Sequence, residues 1–168
     1  VKVLNFSDFY YGISEAALSL GFILVGIYLS TRKAVSYPLR LAWKSIMIIG
    51  GLITLTGAVL LLPLSTDAFF AIFLLINLIF GGFSTAINIP MMTWITQVVP
   101  THYQGRIFNI VSTASQLLTP LGMVAFSIGF DYLPASLLFL LCGAIMVGVT
   151  AYWPRFCRVN ILSNQLED

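Results

Sequence analysis

The sequence predicts an all-α, polytopic membrane helix bundle with five transmembrane helices. Three observations carry that prediction. The first is composition: 59% of the 168 residues are hydrophobic and 8% are charged, with a mean hydropathy of +0.98, whereas an average soluble domain carries about 25% charged residues. Eight basic and six acidic residues cannot clothe a fold of this size against water. The second is a set of five apolar stretches, each close to the ~20 residues needed to cross a bilayer. The third is the distribution of basic residues, which fall on alternate inter-span segments. The same numbers exclude a soluble globular enzyme and a disordered chain. They also exclude a nucleic-acid partner, because a net charge of +2 is no phosphate-attracting field.

The expected spans are Ile13 to Ser30, Trp43 to Leu62, Ala68 to Thr93, Ile107 to Phe130 and Pro134 to Trp153, within a single membrane domain covering residues 1–168. Short connections punctuated by Pro38, Pro63, Pro100 and Pro134 separate them. Membrane β-barrels alternate polar and apolar residues along each strand, and these stretches do not.

Orientation follows from Lys and Arg, which are retained on the cytoplasmic side when they lie close to span ends. Arg32, Lys33, Arg40 and Lys44 follow the first span, Arg106 follows the third, and Arg155 and Arg158 lie in the tail. The opposite side holds Lys2 with Asp8, Asp67 and Asp131. This places the amino end outside and the carboxyl tail in the cytoplasm of a multi-pass cell-membrane protein. Trp43, Trp94 and Trp153 fall at the inner span ends, where an indole can rest among headgroups with its N–H in water. Residues 1–12 begin with Val1 and carry no export signal. The expectation is therefore a carboxyl-terminal piece of a longer protein, whose missing amino-terminal helices would deliver Val1 to the outside.

Helices in lipid associate through small residues that let backbones approach. Ser14, Ala17 and Gly21 mark the first span, Gly50, Thr54 and Ala58 the second, Gly81 and Thr85 the third, and Ala144 and Gly148 the fifth. Polar residues are more telling, because an amide or hydroxyl in hydrocarbon needs a partner or a wet cavity. In the third span Asn77, Gly81, Ser84 and Asn88 stand at i, i+4, i+7 and i+11, on one face of a helix. Pro90 follows and should break the hydrogen-bond ladder there. In the fourth span Ser112, Gln116 and Thr119 stand at i, i+4 and i+7, ahead of Pro120. These seven residues are candidates for the wall of a solute path. The alternative is that the two stripes bond to one another and merely hold the helices together, at about 0.6 kcal/mol per contact.

Glu15, near the outer end of the first span, is a candidate proton carrier, although the same carboxyl would also suit the headgroup layer. His102 has no second imidazole near it, and Cys142 and Cys157 form no ligand cluster, so neither a metal nor a cofactor is expected. There is no HExxH, GxxxxGK[ST] or GxSxG motif, and no enzyme is predicted.

The run from Gln97 through Pro100, Gly105 and Arg106 to Phe108 resembles the segment between the tenth and eleventh helices of major facilitator superfamily transporters. It is most similar to the branch of bacterial macrolide-efflux proteins. Many members of that branch have Arg where Gln104 stands. A second stretch, Gly26 to Lys33 with Arg32, resembles a degenerate form of the glycine–acidic–arginine motif found between helices two and three and echoed between eight and nine. Ser30 occupies its acidic position. In this stretch Gly26 would allow close packing, while Arg32 and Lys33 would cap helix carbonyls and enforce orientation.

The resemblance implies that the five spans are helices eight to twelve of a twelve-helix transporter. Such a transporter would be an antiporter exporting a small amphipathic solute by proton coupling, with the lipid bilayer and the missing helices as its partners. A non-transporting membrane module and an inactive remnant are the competing expectations.

Overall fold

A computed structural model of the chain describes residues 8–32, 35, 37–63, 65–156, 159–160 and 165–166. Five helices account for nearly all of them: α1 (Asp8–Ser30), α2 (Pro38–Val59), α3 (Thr66–Val98), α4 (Thr101–Tyr132) and α5 (Ala135–Phe156). After α5, Val159–Asn160 pairs antiparallel with Gln165–Leu166. All five helices are long and apolar enough to cross a membrane, so the chain is an all-α membrane helix bundle. Lys2, Lys33 and Arg158, used above to orient the chain, lie outside the described residues.

Local chemistry sets the helix ends. Pro38 opens α2, where its missing N–H costs nothing and its fixed φ suits the first turn. Ser65 caps α3 by accepting the Ala68 N–H at 3.4 Å, and Asp67 lies in the first turn, where the helix dipole favours a negative charge. The second span ends at Val59 rather than Leu62. There the N–H groups of Leu61 and Leu62 turn back to Ala58 O and Val59 O, tightening the last turn before Pro63.

Pro90 lacks the N–H that would pair with Ala86 O, so the ladder loses one bond there, yet the third helix continues through Pro90 to Val98, because neighbouring turns can carry a helix past one missing bond in lipid. Residues 101–106 are not a loop but the first turns of α4, leaving only Val99 and Pro100 between the two helices. At 33 residues α3 is about 50 Å long. That exceeds a ~30 Å hydrocarbon core, and tilting or reaching into the headgroups accommodates the excess.

Packing is built on two helix pairs joined by α2 and α3. In the first, α1 runs parallel to α3, with Tyr10 meeting Phe70 edge-on at 4.6 Å near their amino ends. The backbones touch further along: a Cβ at Gly21 would run into the Leu78 carbonyl oxygen, and one at Gly81 into that of Leu18. In the second pair α2 runs antiparallel to α5. A Cβ at Gly57 would sit 2.7 Å from Leu140 N, and one at Gly143 would collide with the Thr54 hydroxyl. Of the small residues expected in the first three helices, Gly21, Gly50, Thr54, Gly81 and Thr85 therefore lie in the seams. In α5 the seam residue is Gly143 instead. Ala144 and Gly148 line a shallow outer groove with Gly51 and Ala58.

The fourth helix is different. It has no buried residue and meets α5 only around their junction, where Leu138 approaches Gly129 and Phe130 lies 6.1 Å from Phe139.

Candidate functional site

The stripe expected on α3 keeps its helical register but not a single environment. Gly81 is buried against α1, Asn77 and Ser84 are half-buried, and Asn88 is exposed. Each amide is anchored to its own helix: Asn77 Nδ2 donates to Phe73 O and Asn88 Nδ2 to Ser84 O, both at 2.9 Å. An amide has two N–H donors and an oxygen acceptor, so this anchoring fixes the side chain and leaves its oxygen available. Beside the stripe, Thr85 Oγ1 shares its proton between Gly81 O at 3.3 Å and Phe22 O of α1 at 3.4 Å. Thr85 is thus a seam residue.

On α4, Gln116 Nε2 donates to Ser112 Oγ at 3.0 Å and Thr119 Oγ1 to Ser115 O at 2.8 Å. Ser112, Gln116 and Thr119 are all exposed. Within the chain α3 and α4 do not pack side by side, so the two stripes neither bond to each other nor close a cavity. Glu15 is exposed on α1. No group of His, Cys, Asp and Glu suited to a metal occurs among the described residues.

The loop-motif residues have definite places. A Cβ at Gly26 would meet only Thr85 Cγ2, at an ordinary 3.9 Å, so close approach does not require this glycine. The Arg32 guanidinium lies over the Tyr28 ring, 5.1 Å from its centroid, a favourable cation–π geometry. Lys33 lies outside the described residues. Gln97 is in the last turn of α3, and Pro100 is the residue preceding α4. Gly105 faces open space, and Arg106 is exposed.

Two residues gain roles that their positions in sequence did not announce. Backbone oxygen i accepts from N–H i+4, so a proline four residues on leaves it without a donor. Pro100 orphans Thr96 O in this way, and Gln104 Nε2 donates to Thr96 O and to Val99 O, each at 2.9 Å. Pro154 orphans Thr150 O, and Trp43 Nε1 of α2 donates to it at 2.8 Å. The Trp43 N–H therefore ties α2 to α5 instead of pointing into headgroup water. The signal was present as Pro at i+4, but only packing reveals which donor arrives.

No family model and no solved structure matches the chain. Over 136 residues, 81% of its length, it is 27% identical to an uncharacterized MFS-type transporter, YfiS, of Bacillus subtilis (strain 168). The matched region is 32% of that protein, so the chain spans about a third of the length of this relative. With five apolar helices and this likeness, it is a multi-pass membrane chain similar to part of a transporter of the major facilitator type.

Proposed function

We propose that the chain is the carboxyl-terminal part, helices eight to twelve, of a major facilitator secondary transporter. The parent exports an amphipathic small molecule by proton-coupled antiport, as the macrolide-efflux branch implies. The observation that carries this reading is the likeness to an MFS-type transporter over 81% of the chain but only 32% of the relative. The wholly unburied α4 supports it, since such a helix fits a bundle completed by further helices. In the assembled protein Asn77, Ser84 and Asn88 contact solute, while Ser112, Gln116 and Thr119 line the adjoining seam. The amino end faces outward and the tail lies in the cytoplasm, in keeping with Arg32, Arg40, Lys44 and Arg106 at one end of the bundle. Glu15 is the carboxylate available to carry a proton.

The test is efflux of fluorescent amphipathic substrates from cells expressing the full-length parent. Asn77→Leu with Asn88→Leu removes both amides and should lower transport at least tenfold at unchanged expression. Undiminished transport of every substrate would refute the assigned role.

A further inference from the structure

Between α1 and α3, bounded at one end by Leu41 of α2, lies an open groove of about 480 Å³ with a wholly apolar lining. Its wall on α1 includes Gly21, Val25 and Tyr28 with Leu24 and Leu29 beside them, and its wall on α3 includes Gly82 and Ala86. Gly21, Val25 and Tyr28 stand at i, i+4 and i+7, and the next position of that stripe is Arg32. The Arg32 N–H donates to Leu29 O at 3.2 Å, so the chain keeps its turn past Ser30 and brings Arg32 back toward the lining residue Tyr28. There the guanidinium rests on the Tyr28 ring at 5.1 Å.

Length and charge both specify an occupant. From Gly21 to Leu29, the last lining residue on α1, is eight helical steps, about 12 Å, and Arg32 follows three residues on; half of a ~30 Å hydrocarbon core is about 15 Å. The groove with Arg32 beyond its end thus matches the depth of one leaflet. Its mouth lies at the end of the bundle that carries Arg32, Arg40, Lys44 and Arg106. Asp8, Glu15, Asp67 and Asp131, the acidic positions of the five helices, all lie toward the other end. No carboxylate competes for Arg32 among the described residues.

We propose that this groove holds an acyl chain of an anionic phospholipid from the leaflet at the basic end, with its phosphate against the Arg32 guanidinium. Guanidinium suits a phosphate because its planar fork can donate two parallel hydrogen bonds. The Tyr28 ring keeps that fork at the headgroup level. This site stands independently of any transport activity.

Native mass spectrometry of the 168-residue chain in mild detergent, with added dioleoyl phosphatidylglycerol or dioleoyl phosphatidylcholine, tests the proposal. One basic residue near anionic lipid should give about fivefold preference for phosphatidylglycerol. Arg32→Gln should abolish that preference, Arg32→Lys should keep most of it, and Arg106→Gln should leave it unchanged. Soluble glycerol 3-phosphate should not bind, because it lacks the acyl chain. A phosphatidylglycerol bearing a photoreactive acyl terminus should label residues 21–28 or 78–86. Equal retention of both lipids, an equal loss in Arg106→Gln, binding of glycerol 3-phosphate, or labelling confined to α4 or α5 would each overturn the assignment.

Discussion

The Trp43–Thr150 bond offers a quantitative test of how α2 and α5 are held together. Thr150 O lacks its helical donor because residue 154 is proline, and the Trp43 indole supplies one at 2.8 Å in a partly buried setting. Replacing Trp43 by Phe keeps an aromatic ring but removes the N–H and leaves the carbonyl unpaired. A net hydrogen bond is worth about 0.5–1.5 kcal/mol, and stranding its buried partner costs about 1–3 kcal/mol. Couplings between membrane helices average about 0.6 kcal/mol and reach about 1.7. We therefore expect Trp43→Phe to lower stability by about 1–2 kcal/mol.

The change of ring also loses packing, so the informative quantity is its cost in a Pro154→Ala background. That substitution restores a backbone N–H to Thr150 O, making the indole donor redundant. Unfolding by SDS titration in mixed micelles, followed by circular dichroism, gives all four corners of the double-mutant cycle. Trp43→Phe should cost about 1 kcal/mol less in the Pro154→Ala background than in the parent chain. Equal costs in both backgrounds would show that the indole acts by packing alone, and the orphan-carbonyl reasoning would be wrong.

Three further substitutions probe the packing. Gly21→Ala puts a methyl group into the Leu78 carbonyl and should destabilise the α1–α3 pair by about 1–3 kcal/mol. Gly51→Ala meets nothing within 4 Å and should stabilise α2 by about 0.5–1 kcal/mol; the same titration showing one sign for both would contradict the seam. Ser45 is fully buried, and its Oγ has no partner. Because a buried unsatisfied hydroxyl is itself a cost, Ser45→Ala should raise stability by about 1 kcal/mol, and a measured loss would mean that the hydroxyl is bonded.

What the sequence determined by itself was the solvent and the local geometry. Composition demanded lipid, and five apolar runs separated by prolines and a capping serine marked five helices, most of which extend a few residues past the expected spans while the second stops short at Val59. The registers of Asn77–Asn88 and Ser112–Thr119 were equally legible, because a 3.6-residue repeat places side chains on a face without reference to any neighbour. Only the tertiary structure decided which face meets which helix. In lipid both faces of a helix are apolar, so hydropathy does not distinguish a seam from a lipid contact. That is why Gly143 rather than Gly148 joins α2 and α5, why Gly81 is buried against α1 beside an exposed Asn88, and why Trp43 and Gln104 answer prolines distant in sequence or across a helix boundary. Each of these depends on where a second backbone passes, which is a property of the assembled bundle and of no single segment within it.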